Sequence, residues 1–321
     1  MRRHVLCIFA FLTAAALLLA GCLRQPPVPP ETVPTTLSTA TTAPSQTTAP
    51  TTTPVTIPTE TTRPTTIPTQ PTTVPTQPRI GWVEENGKRY YYDESGVMLT
   101  GWLDQEYDRY YLQTDGSMAT GKVEIDGSTC YFGPDGVQIL LVNPWNYLPE
   151  NYAAETVDIN GWQYVDIRCY DALMQMLDDC RTAGLSPYVA SAYRTHGDQI
   201  YLYNNKIQRL INEGYSEAEA RVLAGTVVAV PGTSEHELGL ALDLVDDSYR
   251  NLDEAQENTP VQKWLMENSW KYGFILRYPS SKSDITGIIY EPWHYRYVGK
   301  IAAKEIYESG LCLEEYLEVL P

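Results

Sequence analysis

The chain has 321 residues, 40 acidic against 23 basic, a formal net charge of −17 and 43% hydrophobic residues. After the first few residues no Lys/Arg cluster appears, which excludes a nucleic-acid partner bound through phosphate contacts. An acidic body also gains nothing from anionic lipid headgroups, so any membrane attachment has to come from elsewhere.

In chain order, Arg2, Arg3 and His4 precede an apolar run from Val5 to Ala20, the layout of a secretory signal. The run ends in Leu19-Ala20-Gly21-Cys22, which resembles the lipobox of bacterial lipoproteins. That resemblance implies a signal peptide over 1–21, cleavage before Cys22 and a lipid on Cys22. The protein would then be held at the extracellular face of the cell membrane, reaching into the wall. No later run approaches ~20 apolar residues, so the chain is expected to be anchored to the membrane and not to span it. Residues 22–79 are dominated by Thr and Pro, with almost no charge and no aromatic residue, a composition that cannot bury a core and predicts a disordered linker. At ~3.1 Å per residue, some 55 such residues reach at most ~170 Å.

Residues 80–139 repeat with a period of twenty: Gly81-Trp82 returns as Gly101-Trp102 and, degraded, as Gly121-Lys122. Tyr91, Tyr111 and Tyr131 are in phase, as are Gly96, Gly116 and Gly136. Each unit predicts a short β-hairpin with aromatic residues flanking an Asp/Ser-Gly turn. The pattern resembles the cell-wall-binding repeats of choline-binding modules, in which aromatic side chains cage a quaternary ammonium by cation–π attraction. The resemblance implies one cage here, from Trp82, Trp102 and a tyrosine such as Tyr111, for choline or another wall polymer. Lys122 and Cys130 break the pattern in the third unit. The alternative is that the aromatics only staple a small β-solenoid acting as a spacer.

Residues 140–321 predict one α+β domain, a small antiparallel sheet flanked by helices and large enough for its own core. Leu173, Met176 and Leu177 fall at helical spacing within 166–182, before Gly184. A strand follows over 188–193 and a helix over about 197–214. Ser216 and Glu219 form a capping box for the next helix. A buried strand is expected over 240–245, a helix from Pro260, strands over 274–278 and 288–298, and a helix around 302–307. Cys169 and Cys180 share the first helix, where eleven residues span ~16 Å, too far for a bridge. With Cys130 and Cys312 they read as free thiols.

Histidine is scarce, and two of the late ones lie in Ser234-Glu235-His236-Glu237-Leu238-Gly239-Leu240-Ala241-Leu242-Asp243 and Glu291-Pro292-Trp293-His294. Two imidazoles, an aligned carboxylate and a second carboxylate three residues before a histidine are the parts of a catalytic zinc site. H-E-x-x-H fails because position 240 is leucine. S-x-H-x-x-G-x-A-x-D from Ser234 to Asp243 instead resembles the VanY-like D-alanyl-D-alanine carboxypeptidases, zinc peptidases of the lysostaphin and hedgehog group. Glu291-Pro292-Trp293-His294-Tyr295-Arg296-Tyr297-Val298-Gly299 resembles the family's second motif. Ser191-Ala192-Tyr193-Arg194-Thr195 with Gln199 resembles a third, with Ala192 in place of glycine.

The resemblance implies Zn2+ on His236, Asp243 and His294, with Glu291 as general base and then acid. Arg194 would stabilise the oxyanion or anchor substrate, and Gln199 and Ser234 would help to hold the substrate's terminal carboxylate. Trp293 is expected behind the metal, His196 at the cleft edge, and Glu235 and Glu237 in solvent or behind the ligands. The implied substrate is the D-Ala-D-Ala end of peptidoglycan stem peptides. An L,D-carboxypeptidase trimming tetrapeptides, or a wall-binding protein with an inactive peptidase domain, are the alternatives.

Overall fold

A computed structural model describes residues 79–320, so the signal sequence, Cys22 and nearly all of the Thr/Pro linker lie outside the described residues. Three antiparallel hairpins come first: β1 (Gly81–Glu85) with β2 (Lys88–Tyr92), β3 (Gly101–Gln105) with β4 (Asp108–Leu112), and β5 (Gly121–Ile125) with β6 (Ser128–Phe132). A short β7 (Gln138–Ile139) adds to the third. The hairpin turns differ from the expected ones. They sit at Asn86-Gly87, Glu106-Tyr107 and Asp126-Gly127, whose first residues have φ near +50°. Two positive φ values in succession are what a type I′ turn demands, and Asn-Gly and Asp-Gly meet that demand at least strain. The in-phase Gly96, Gly116 and Gly136 instead close the turn after each hairpin, donating to Asp93, Gln113 and Gly133.

Next, β8 (Thr156–Asp158) pairs with β9 (Tyr164–Asp166), and Asp166 caps α1 (Ile167–Thr182) by accepting from the Arg168 amide. Then come β10 (Pro187–Ser191), α2 (His196–Asn212) and α3 (Glu217–Gly225) with its capping box complete. They are followed by β11 (Ala241–Asp246), α4 (Pro260–Asn268) and β12 (Phe274–Leu276). The chain continues through α5 (Ser283–Thr286), β13 (His294–Tyr297), α6 (Lys300–Ser309) and α7 (Leu313–Val319). Strands β10, β11, β13 and β12 make one antiparallel sheet in that order.

Alternation along the strands divides this sheet into two faces. Leu242 and Leu244 pack with Leu173, Met176, Leu265 and Phe274 in the main core, where each of these is fully buried. Burial contributes ~1.5–3 kcal/mol for each such side chain. Asp243, His294 and Arg296 point to the other face.

Two departures from expectation have simple causes. Only His294–Tyr297 forms a strand in 288–298, because Pro292 has no N–H for a ladder and the Ile289 and Glu291 amides bond to Thr226 and Tyr278. Helix α7 was not anticipated, although Leu313, Tyr316 and Leu317 are spaced for a buried stripe and Glu315 accepts from the Cys312 amide at 3.0 Å. Cys169, Cys180 and Cys312 are buried and free, and Cys130 is free and half-buried. No described helix is long and apolar enough to cross a membrane.

Candidate active site

Sheet register builds the site. Asp243 on β11 stands directly opposite His294 on β13, so the two side chains emerge together on the polar face. His236 comes from the short 3-10 turn Glu235–Leu238 that leads into β11. Gly239 ends that turn at φ 75°, and a Cβ there would lie 3.0 Å from the Asp166 amide nitrogen, so backbone and packing both require glycine.

His236 Nδ1 lies 2.8 Å from the Ala192 carbonyl, which can only accept, so Nδ1 carries the proton. Its Nε2 is left facing Asp243 Oδ1 at 3.3 Å, and His294 Nδ1 lies 3.1 Å from the same oxygen. Ligand atoms of the three residues all fall within 4.8 Å of one another, and all three side chains are buried. Ligands at ~2.0–2.1 Å from a tetrahedral zinc stand about 3.3 Å apart, and two nitrogens with one carboxylate oxygen are a zinc donor set. The cluster therefore fits the ion.

Burial opposes the charge on Asp243, yet His236 and His294 outweigh it and hold the carboxyl well below its usual range. Burial, aided by Arg194, lowers His236. Burial also works against His294, but hydrogen bonds to Asp243 and Glu235 prevail and raise it to about 9.

Of the two placements expected for Glu235, solvent or behind the ligands, the structure has the second, with partners that the sequence does not name. It is 1% exposed, not solvent-facing, and its Oε1 accepts from Arg277 Nε at 2.7 Å and Arg296 Nη1 at 2.8 Å. Its Oε2 lies 3.4 Å from His294 Nε2. The ionised carboxylate can only accept, so it keeps a proton on Nε2 and presents Nδ1 to the cluster. Arg277 is in turn held by both oxygens of Glu314 on α7. Arg277 directly after the apolar Phe274–Leu276 and Arg296 between two tyrosines were the available signal, since a buried guanidinium demands a carboxylate. Glu237 is also buried, with one oxygen 2.7 Å from His196 Nδ1 and the other accepting from the Gly232 amide at 2.9 Å. It thereby ties the start of α2 to the loop before Ser234.

Glu291 lies beside the cluster, Oε2 3.8 Å from His294 Nδ1, and burial pushes its carboxyl up to about 8. Arg194 donates to Gln199 Oε1 at 2.7 Å and Ser191 Oγ at 3.0 Å. Gln199 is fully buried, and its amide donates to the Ala229 carbonyl at 2.6 Å. This revises the expectation for Gln199: both its ends are occupied inside the protein, and it reaches the cleft only by orienting Arg194. A cavity of about 390 Å³ joins Arg194, Ser234, His236, Asp243, Glu291 and His294. Trp293 also lines it, forming wall where packing behind the metal was expected.

The repeat aromatics do not meet as one cage. Trp82 packs on Tyr91 and Tyr110 at 5.2 and 5.0 Å, whereas Trp102 packs on Tyr111 and Phe132 at 5.2 and 6.0 Å. Tyr110 and Tyr111 are neighbours on one strand and face opposite ways, which separates Trp82 from Trp102 and Tyr111. Each indole also carries a guanidinium from its own hairpin, Arg89 at 4.5 Å from the Trp82 ring and Arg109 at 4.4 Å from the Trp102 ring.

The family model for D-alanyl-D-alanine carboxypeptidase (VanY) matches residues 162–300, and that for the choline-binding repeat matches residues 80–121. The solved structure of VanYB in complex with D-alanine-D-alanine is 45% identical and aligns with 56% of this chain and 97% of its own, at a TM-score of 0.52. The chain belongs to the VanY D-alanyl-D-alanine carboxypeptidase family. A VanY D,D-pentapeptidase in complex with Zn(II) is 46% identical over 56% of this chain and 97% of its own, with a TM-score of 0.51. The family is zinc-dependent. The D-alanyl-D-alanine carboxypeptidase of Enterococcus faecalis is 45% identical over 179 residues, 56% of this chain and 65% of that one. The chain thus spans slightly under two thirds of that relative. YodJ of Bacillus subtilis is 37% identical over 204 residues, covering 60% of this chain and 71% of its own.

Proposed function

We propose that this chain is a zinc-dependent D,D-carboxypeptidase that removes the terminal D-alanine of peptidoglycan stem peptides. The observation that carries the reading is one cavity joining the His236, Asp243 and His294 cluster to Glu291 and Arg194. Zinc on that cluster supplies a Lewis acid that polarises the scissile carbonyl and acidifies water. Glu291 takes the water's proton at its carboxylate and passes it to the leaving amine. Burial raises this carboxyl in the metal-free protein, and zinc beside it would draw it back toward neutral pH, where one group can both take and return a proton. Arg194, oriented by Gln199 and Ser191, binds the terminal carboxylate or the developing oxyanion, with Ser234 beside it on the cavity wall. Glu235 fixes the His294 ring through Nε2.

The relatives named D-alanyl-D-alanine carboxypeptidase in Enterococcus faecalis and Enterococcus faecium support D,D over L,D specificity. Within the whole chain we assign 1–21 to a signal peptide, Cys22 to lipidation, 22–79 to a linker, 80–139 to a wall-facing repeat module and 140–321 to the peptidase domain. This places the enzyme at the outer face of the cell membrane. Arg89 and Arg109 on the indole faces support a spacer role for the module over an open cage.

The test offers the zinc-loaded protein a pentapeptide ending in D-Ala-D-Ala and a tetrapeptide ending in one D-Ala, with products read by mass. Loss of one alanine from the pentapeptide is expected, and loss from the tetrapeptide alone would make it an L,D enzyme. Glu291→Ala should lower kcat by about 10²–10⁴ with zinc retained. An unchanged rate would sink the mechanism.

A further inference from the structure

The active-site cavity extends beyond the reaction centre along helix α2, and its far wall carries charge that the chemistry above does not use. Leu202, Lys206 and Arg209 line it, at i, i+4 and i+7 of one helical stripe. Gln199, on the same helix, holds Arg194 at the reaction end.

Among the described residues neither Lys206 nor Arg209 makes an ion pair. Several other surface cations are matched, Arg221 with Glu217, Arg250 with Asp247 and Lys282 with Glu315, while Arg194 at the reaction end is held by the neutral side chains of Gln199 and Ser191. In a chain of net charge −17, two unmatched cations beside one another in the cleft form a local positive field in an otherwise repulsive surface for anions.

We propose that Lys206 and Arg209 form an anion subsite that binds a free carboxylate carried by the stem peptide upstream of the scissile bond. The proposal rests on the carboxypeptidase reading. At 1.5 Å rise per residue, Lys206 lies ~10 Å and Arg209 ~15 Å along the helix from Gln199. An extended peptide advances ~3.3 Å per residue. A substrate with its terminal carboxylate on Arg194 and its chain along α2 therefore brings its third to fifth residues, counted from the C-terminus, past these two side chains. Both side chains are long and can reach back toward the third and fourth. Arg209 offers a planar fork to a carboxylate and Lys206 a mobile point charge. The subsite selects substrates by charge at a distance from the bond that breaks, so it should act on binding more than on the chemical step.

The test compares two pentapeptides ending in D-Ala-D-Ala that differ only in carrying carboxylates or carboxamides at the third and fourth residues from the C-terminus. With the zinc-loaded full chain, kcat/KM should favour the carboxylate peptide about tenfold, mostly through KM, and the preference should shrink as salt rises. In a Lys206→Gln, Arg209→Gln double variant that still binds zinc, the preference should fall to about twofold or less. Equal rates on the two peptides in the unaltered protein would overturn the subsite and leave the carboxypeptidase reading standing. A tenfold preference that survives in the double variant would also overturn it. Turnover of neither peptide would overturn the carboxypeptidase reading and the subsite together.

Discussion

Replacing Glu235 with glutamine separates the two tasks this buried carboxylate performs. Its Oε1 accepts from Arg277 and Arg296 at 2.7 and 2.8 Å, and both guanidiniums are buried. Arg277 keeps Glu314 in the variant, but Arg296 loses its charged partner and is left with neutral acceptors, the new amide oxygen and the carbonyls of Tyr297 and Leu140. Breaking a buried ion pair costs about 3–5 kcal/mol. Because the amide oxygen preserves one neutral acceptor, we expect about 3 kcal/mol, or a Tm lower by about 6–12 °C for a domain of this size. The second task concerns His294. An amide nitrogen placed 3.4 Å from Nε2 becomes a donor, which favours the tautomer protonated on Nδ1, the atom facing Asp243. Zinc affinity should then drop about 10–100-fold, the usual effect of losing a group that orients a ligand. The assay is competition with a zinc chelator alongside thermal melting. Glu314→Gln is the control, since it removes charge from Arg277 without touching His294. It should lower Tm and leave zinc affinity within about twofold of the unaltered protein. Zinc binding by Glu235→Gln as tight as in the control would refute the tautomer argument.

Three further outcomes are expected. His294, raised to about 9 by its hydrogen bonds to Asp243 and Glu235 despite burial, is protonated below that pH and must lose the Nδ1 proton to bind metal. Apparent zinc affinity should therefore climb about tenfold per pH unit between about pH 6 and 9 and level off above, and a flat chelator-competition profile would contradict this. Choline should bind the repeat module only weakly, because Arg89 or Arg109 already occupies one face of each indole. Saturable quenching of tryptophan fluorescence by dilute choline, lost in Trp102→Ala, would restore the cage. Finally, Cys22→Ser should move the protein from the membrane fraction to the medium in cells, and continued membrane retention would exclude lipid anchoring at that residue.

Periodicity and punctuation located α1, α2, α3 and β11, because in each the local preference and the tertiary demand agree: Asp166, Thr195 and Ser216 cap helices, and Leu242 and Leu244 face the core. Where they diverge, the sequence misled. The run 288–298 has strand composition, but Pro292 cannot sustain a ladder, so only its last part pairs. The hairpin repeat was visible from its period, while the turn that joins each pair of strands depended on backbone handedness at Asn86 and Asp126 that the in-phase glycines obscured.

The chain by itself determined which atoms can do chemistry. Two scarce histidines, an aspartate seven residues after one and a glutamate three before the other are chemical facts that no packing changes. Tertiary structure alone decided how they are held. Register set Asp243 opposite His294, and burial with its energetic demand for partners decided between solvent and a place behind the ligands for Glu235, making it the anchor of Arg277, Arg296 and the His294 ring. It also withdrew Gln199 from the cleft and left Lys206 and Arg209 facing into it. Burial and pairing are properties of neighbours brought together from distant parts of the chain, and a linear pattern carries only the near ones.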